Sequence, residues 1–211
     1  MRLIQEGSPG TIVLVTSDLG RYGAFEQSLE NLLVPNGTKL LRIRGMSSAK
    51  SQNIGVHNRV GEWVWFIDDD HTFAPDILMR LLKHNVDVVA PLVPMRFPPY
   101  SLVLYRQLEM APFIEDYYKI EDLADITGLM KVDGLPKAGC LIRENVWKDI
   151  PEPWFKIGKI HVDDIEDDKY FMWELRVGYK YDLWCDTDQT MGHISTFAVG
   201  IKDRKISITV A

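Results

Sequence analysis

Residues 63–70 read Trp-Val-Trp-Phe-Ile-Asp-Asp-Asp, five apolar residues running without a break into three carboxylates. A short apolar run rich in β-branched and aromatic side chains predicts a strand covered on both faces. Outward from it the pattern repeats. Residues 11–17 (TIVLVTS), 39–43 (KLLRI) and 87–92 (DVVAPL) predict three further strands. Between them, residues 24–33 place Phe25, Leu29, Leu32 and Leu33 at helical spacing. Residues 47–60 predict a helix capped by Ser47 or Ser48, and 75–83 one that begins with Pro75. Strands alternating with helices predict a single α/β domain with a mostly parallel central sheet and helices on both faces. Ligands of such sheets bind at the carboxyl ends of the strands. One rim would then carry Ser17, Asp18, Arg44 and Asp68–Asp70.

The second half is less regular. Residues 96–100 (RFPPY) predict a loop, and 116–125 a helix or a mobile flap. Residues 138–142 (AGCLI) predict a strand, 144–149 a short helix, 166–177 a strong helix and 181–185 the last main strand. The tail from 197 to 211 alternates weakly, as a hairpin would. With no linker and no internal repeat, 211 residues suit one domain, about 1–92 forming one half and about 93–211 the other.

A formal net charge of −6 argues against a chain that wraps unmodified nucleic acid. Two cysteines without metal-finger spacing suit a reducing, cytoplasmic compartment. No signal-peptide pattern and no apolar run of membrane-spanning length is present, so no membrane partner is expected.

Three carboxylates at a strand end repel one another and raise their proton affinity unless a cation neutralises them. A divalent ion, Mg²⁺ or Mn²⁺, meets that need and can also hold a diphosphate. The plainer reading is an acidic turn that caps the next helix. A second cluster, residues 163–168 (DDIEDD), enters the 166–177 helix, where the macrodipole by itself favours acidic residues. Its functional reading is a general base at Asp167. His193, in Met191-Gly192-His193, gains meaning if an aspartate-bound metal is its partner. His57, His71, His84 and His161 lack that context, although His71 directly follows the triad. Residues 95–105 gather aromatic and basic side chains that suit stacking on a ring, and Arg96 suits a phosphate. Phosphate-loop, dinucleotide, zincin and nucleophile-elbow motifs are absent.

Taken in order, these pieces resemble the GT-A glycosyltransferases, especially the short forms found in phage genomes. Asn53-Ile54-Gly55-Val56, Gly61-Glu62-Trp63 and Phe66-Ile67-Asp68-Asp69-Asp70 are similar to that family's helix, strand and DxD segment. Gly139-Cys140-Leu141-Ile142-Arg143 resembles its acceptor-half strand, Glu166-Asp167 its acidic pair, and Gly192-His193 its closing histidine. The resemblance implies a metal-dependent transfer from a nucleoside-diphosphate-sugar, a UDP-sugar first, to an acceptor hydroxyl. A carboxylate base would give inversion, and the motifs leave retention open. It implies Mn²⁺ or Mg²⁺ on Asp70 and His193, and Asp68 and Asp69 at the nucleoside and ribose. Thr16, Asp18, Arg44 and Asn53 would surround the nucleotide, with Asp167, beside Glu166, as the base. Gln52-Asn53 departs from the family's Arg-Asn, and Lys50 would replace the missing charge.

Arg96, Tyr100 and residues 115–125 would border the acceptor: a modified base in phage DNA, a virion protein or a glycan. A DNA acceptor would need a basic path through Arg42, Arg44, Lys50 and Arg59, and a phage enzyme would work in the host cytoplasm. Two other classes stay open, a nucleotidyltransferase that makes nucleotide-sugars and a non-catalytic sugar-binding module of the same fold.

Overall fold

The computed structural model describes residues 1–16, 22–156, 158–160, 163–195, 197–203 and 205–210. The chain opens with β1 (Arg2–Ile4), β2 (Thr11–Thr16), α1 (Gly23–Asn31), β3 (Leu33–Pro35), β4 (Lys39–Arg44) and α2 (Ser48–His57). The decisive strand is β5 (Trp63–Asp68), followed by β6 (His71–Phe73), α3 (Ile77–Lys83) and β7 (Val88–Leu92). A hairpin, β8 (Tyr105–Met110) and β9 (Phe113–Tyr117), then leads to β10 (Leu129–Val132), β11 (Leu141–Arg143) and α4 (Glu144–Asp149). The rest is β12 (Gly158–Ile160), β13 (Asp163–Ile165), α5 (Asp167–Trp173), β14 (Leu183–Ile194), β15 (Phe197–Lys202) and β16 (Lys205–Val210).

The period-two pattern of the central strands divides the core. Val13, Val64 and Phe66 join one apolar cluster with Val56, Trp147, Phe155 and Phe171. Ile12, Leu14, Trp63, Trp65 and Ile67 join the other with Phe25, Leu29, Ile77 and Leu81. Alternate side chains of β5 therefore bury into opposite layers, and Trp63 through Ile67 are all but inaccessible to solvent.

The main sheet corrects the expected topology. Its ten strands run β16-β15-β14-β7-β11-β5-β2-β4, with β10 and β6 also paired to β14. Among the described residues, parallel pairing within this sheet is limited to β2 with β4, β2 with β5, and β7 with β14. Strand β11 lies antiparallel between β5 and β7, and β6, β10 and β15 all run antiparallel to β14. The protein is thus a mixed sheet with few helices, 25% helical against 38% strand, in place of a mostly parallel sheet with helices on both faces. Periodicity along a strand reports which faces are buried and is blind to strand direction, which is why the expectation failed.

Local departures have similar causes. The last main strand is twelve residues long, because a register shift between Asp186 and Thr190 lets β14 pair with β7 and then with β6. Residues 116–125 are the end of β9 and a 3₁₀ turn at Ile120–Leu123. Helix α5 continues in π-type turns through Glu174–Gly178. The C-terminal hairpin forms as expected and extends the main sheet through β15. Among the described residues no helix is long and apolar enough to cross a membrane.

The entry to β5 depends on Gly61, whose φ of +82° an L side chain rarely adopts. A Cβ there would lie 2.2 Å from the Pro9 carbonyl oxygen. Gly61→Ala is therefore expected to cost about 2–3 kcal/mol of stability, from left-handed backbone plus steric overlap. Chemical denaturation measures it, and an unchanged midpoint would contradict this account of the turn.

Candidate functional site

Register brings the expected rim together. Thr16 pairs with Arg44 across β2 and β4, and Val15 with Asp68 across β2 and β5, so three carboxyl-terminal strand ends align. Thr16 is buried, its hydroxyl 3.4 Å from the Ile43 carbonyl, and Arg44 is exposed. Asp18 lies outside the described residues. Asp68 is half-buried and Asp69 buried.

Asp70 meets three cationic or imidazole partners. Arg96 donates to its Oδ2 at 3.1 Å, His193 Nε2 lies 3.3 Å from the same oxygen, and His71 Nδ1 lies 2.9 Å from Oδ1. The two histidines are brought opposite each other by the β6–β14 register, His71 facing His193. Their rings stack with centroids 4.3 Å apart. Burial by itself would raise the Asp70 pKa, but His193 and His71 outweigh it and hold the carboxyl well below the usual range.

The protonation pattern of this group is constrained. His193 Nδ1 lies 3.1 Å from the Pro94 carbonyl, which can only accept, so Nδ1 carries a proton. Nε2 of the neutral ring would then aim a lone pair at a carboxylate oxygen. A second proton or a metal cation at that position removes the conflict. Asp70 Oδ1 and His71 Nδ1 are buried and meet only each other, at 2.9 Å, and His71 Nε2 is buried without a hydrogen-bond partner. Ligand atoms of Asp70, His71 and His193 all lie within 4.8 Å of one another. One carboxylate and two imidazoles converging at that range fit a divalent ion.

A second group adjoins the first through Asp68. The half-buried Lys137 ammonium lies 3.0 Å from Asp68 Oδ1 and 2.9 Å from Oδ2. Gln52 is fully buried, and the amide orientation that satisfies both its ends donates to Asp167 Oδ2 at 3.0 Å and accepts from Lys137 at 3.2 Å. Asp168 accepts the Lys169 main-chain N–H at 2.8 Å. Burial raises the pKa of Asp167 and of Asp168 above the ordinary 3.8, and Lys137 opposes the rise in both. For Lys137, burial lowers the proton affinity, but Asp68, Asp168 and Asp167 reverse this and hold the pKa above the ordinary 10.5.

Other expected site residues are placed differently. Asn53 spends its amide on main chain, Nδ2 donating to the Phe155 carbonyl at 2.6 Å and Oδ1 accepting the Phe155 N–H at 3.0 Å. Glu166 stands at the start of α5 with its side chain 69% exposed, paired with Lys169 at 3.1 Å. Arg96 belongs to the Asp70 group. Tyr100, held at φ +58°, lines with Ser101, Lys119 and Glu121 a cavity of about 340 Å³. Sequence reasoning missed Lys137 and gave His71 no role. Adjacency to the aspartates was the only signal for His71, and none marked Lys137, a single lysine between Pro136 and Gly139.

Lys137→Met leaves three carboxylates without their counter-charge and is expected to lower stability at neutral pH by about 3 kcal/mol. The sign of its pH dependence follows from the shifts. Without the ammonium, the folded-state pKa values of Asp167 and Asp168 rise further above the unfolded 3.8. The folded variant then holds protons that its unfolded chain releases, so the deficit narrows as pH falls from neutrality toward about 5. Urea denaturation of both proteins across that range checks it. A deficit that does not change with pH would mean lost packing and not lost charge.

No family model and no curated protein sequence matches the chain. Among solved structures, the crystal structure of A197 from STIV is similar, with a TM-score of 0.60 and 15% identity. The match covers 95% of this chain and 94% of A197. At that identity the likeness speaks to the fold alone, and it extends over nearly the whole of both chains.

Proposed function

We propose that the chain is a GT-A-like glycosyltransferase that moves a sugar from a nucleoside-diphosphate donor, a UDP-sugar first, to an acceptor hydroxyl. One observation carries the reading. A rigid buried strand delivers Asp68–Asp70 to a rim where Asp70 meets imidazoles on one side, while Asp68, through Lys137, meets Asp167 on the other. Cation-holding and proton-accepting carboxylates are thus linked by one short run of side chains.

Asp70 and His193 would hold Mn²⁺ or Mg²⁺, which when bound supplies electrostatic stabilisation to a diphosphate leaving group. Thr16, Arg44 and Asp68 line the edge along which the nucleotide would lie. Asp167 accepts the proton of the acceptor hydroxyl as its oxygen bonds to the anomeric carbon and the bond to the diphosphate breaks. A single displacement of this kind inverts the anomeric centre. A carboxyl with raised pKa, oriented by Gln52 and Ser48, suits that task better than a solvated one. Tyr100 and the cavity beside it would border the acceptor, whether a modified DNA base, a virion protein or a glycan.

Asp70→Asn is expected to abolish turnover of the donor, and a chelator to do the same to the parent protein. Asp167→Asn should lower transfer by about 10²-fold or more with donor affinity nearly unchanged. In the parent protein transfer should rise with pH along a limb set by Asp167, displaced upward from 3.8, and the variant should lack that limb. A panel of nucleotide-sugars assayed for nucleoside-diphosphate release decides the class. Pyrophosphate release from a nucleoside triphosphate and a sugar phosphate would replace this reading with a nucleotidyltransferase, and binding without turnover would replace it with a sugar-binding module.

A further inference from the structure

His71 is one of the few polar residues in the core, with a side chain only 3% exposed. Its Nε2 is buried without a hydrogen-bond partner, and its Nδ1 meets only Asp70 Oδ1. An imidazole must present at least one N–H, and leaving a buried polar group unsatisfied costs about 1–3 kcal/mol. Packing gives no reason for a histidine here, since a phenylalanine would cover the His193 ring equally well. The ring is instead held where a ligand is wanted. Strand β6 pairs it directly opposite His193, the two rings stack at 4.3 Å, and its Nδ1 stands 2.9 Å from Asp70 Oδ1. That oxygen has no other partner among the described residues, so the contact leaves Asp70 Oδ1 and the His71 ring facing the same point.

We propose that His71 is a third protein ligand of the divalent ion, beside Asp70 and His193, and that this two-imidazole, one-carboxylate set selects Mn²⁺, Co²⁺ or Zn²⁺ over Mg²⁺. The inference rests on the metal-dependent reading above and deepens it. Mg²⁺ prefers oxygen ligands and keeps its water, whereas imidazole nitrogens favour first-row transition ions. Arg96, bonded to Asp70 Oδ2 and 41% exposed, supplies positive charge to the same carboxylate and competes with the ion for it.

The test uses the full chain without donor or acceptor, so it is independent of turnover. Calorimetric titration of the metal-free protein with Mn²⁺, Zn²⁺ and Mg²⁺ should rank Mg²⁺ weakest, and His71→Gln should weaken Mn²⁺ binding by about 10–100-fold or more. Arg96→Gln should strengthen it. Because a buried substitution can disturb folding, Co²⁺ bound to the unaltered protein gives a second measurement. Two sets of hyperfine-shifted imidazole protons are expected from two ligating rings. One set, or an affinity unchanged in His71→Gln while His193→Gln loses it, overturns the role of His71 and leaves the metal-dependent reading intact. Mg²⁺ bound as tightly as Mn²⁺ overturns the selectivity. No binding of any ion by the unaltered protein overturns this inference and removes the metal from the proposed function, whereas ion binding without any nucleotide-sugar turnover leaves it standing and removes only the transferase.

Discussion

The organisation of this protein follows from a charged terminus on a strand that cannot move. Strand β5 is buried on both faces between β2 and β11, so Asp68, Asp69 and Asp70 are delivered to the rim with little freedom to turn away from one another. Carboxylates so confined raise the free energy of the fold unless positive or hydrogen-bonding groups reach them. Those groups come from remote parts of the chain: Lys137 from the loop before β11, His193 from β14 and Arg96 from beyond β7. The antiparallel insertion of β11 brings Lys137 to the aspartates, and the parallel strand β14 brings His193.

The same constraint separates two environments along a few residues. Asp70 faces aromatic nitrogens and a guanidinium, and its carboxyl is held strongly ionised. Asp167 and Asp168 share a single ammonium, which Asp68 engages more closely, and their proton affinity rises. Neighbouring carboxyls pushed in opposite directions can divide the work of holding a cation and accepting a proton. Helix α2 borders the second environment. Gln52 touches Lys137 and Asp167, while the adjacent Asn53 clips the helix to the Phe155 main chain. Gly55 lets that helix lie directly on β2, since a Cβ there would stand 2.5 Å from Val13.

Part of this was legible in the amino-acid order. The apolar-to-acidic change at residues 63–70 is a local signal, because burial of a strand and the exposure of its end are both written in consecutive residues. The strands at 11–16 and 39–44, and the helices near 24–31 and 48–57, follow for the same reason. Asp70 and His193 could be named individually, and the structure brings them to 3.3 Å.

What tertiary structure decided is direction, register and partnership. Strand direction leaves no trace in a period-two pattern, so the antiparallel placement of β11 and of the strands around β14 could not be read from it. The pairing that sets His71 opposite His193 depends on a register shift in β14, and Asp70 and His193 stand 123 positions apart. Lys137 had no local mark, because a half-buried lysine is specified by the charges that surround it and these lie on β5 and α5. The sequence by itself determined that the carboxylates stand at the end of a buried strand, since the apolar run and its acidic terminus are consecutive residues. Which cations they meet is a long-range electrostatic matter, settled only when distant segments fold onto the same rim.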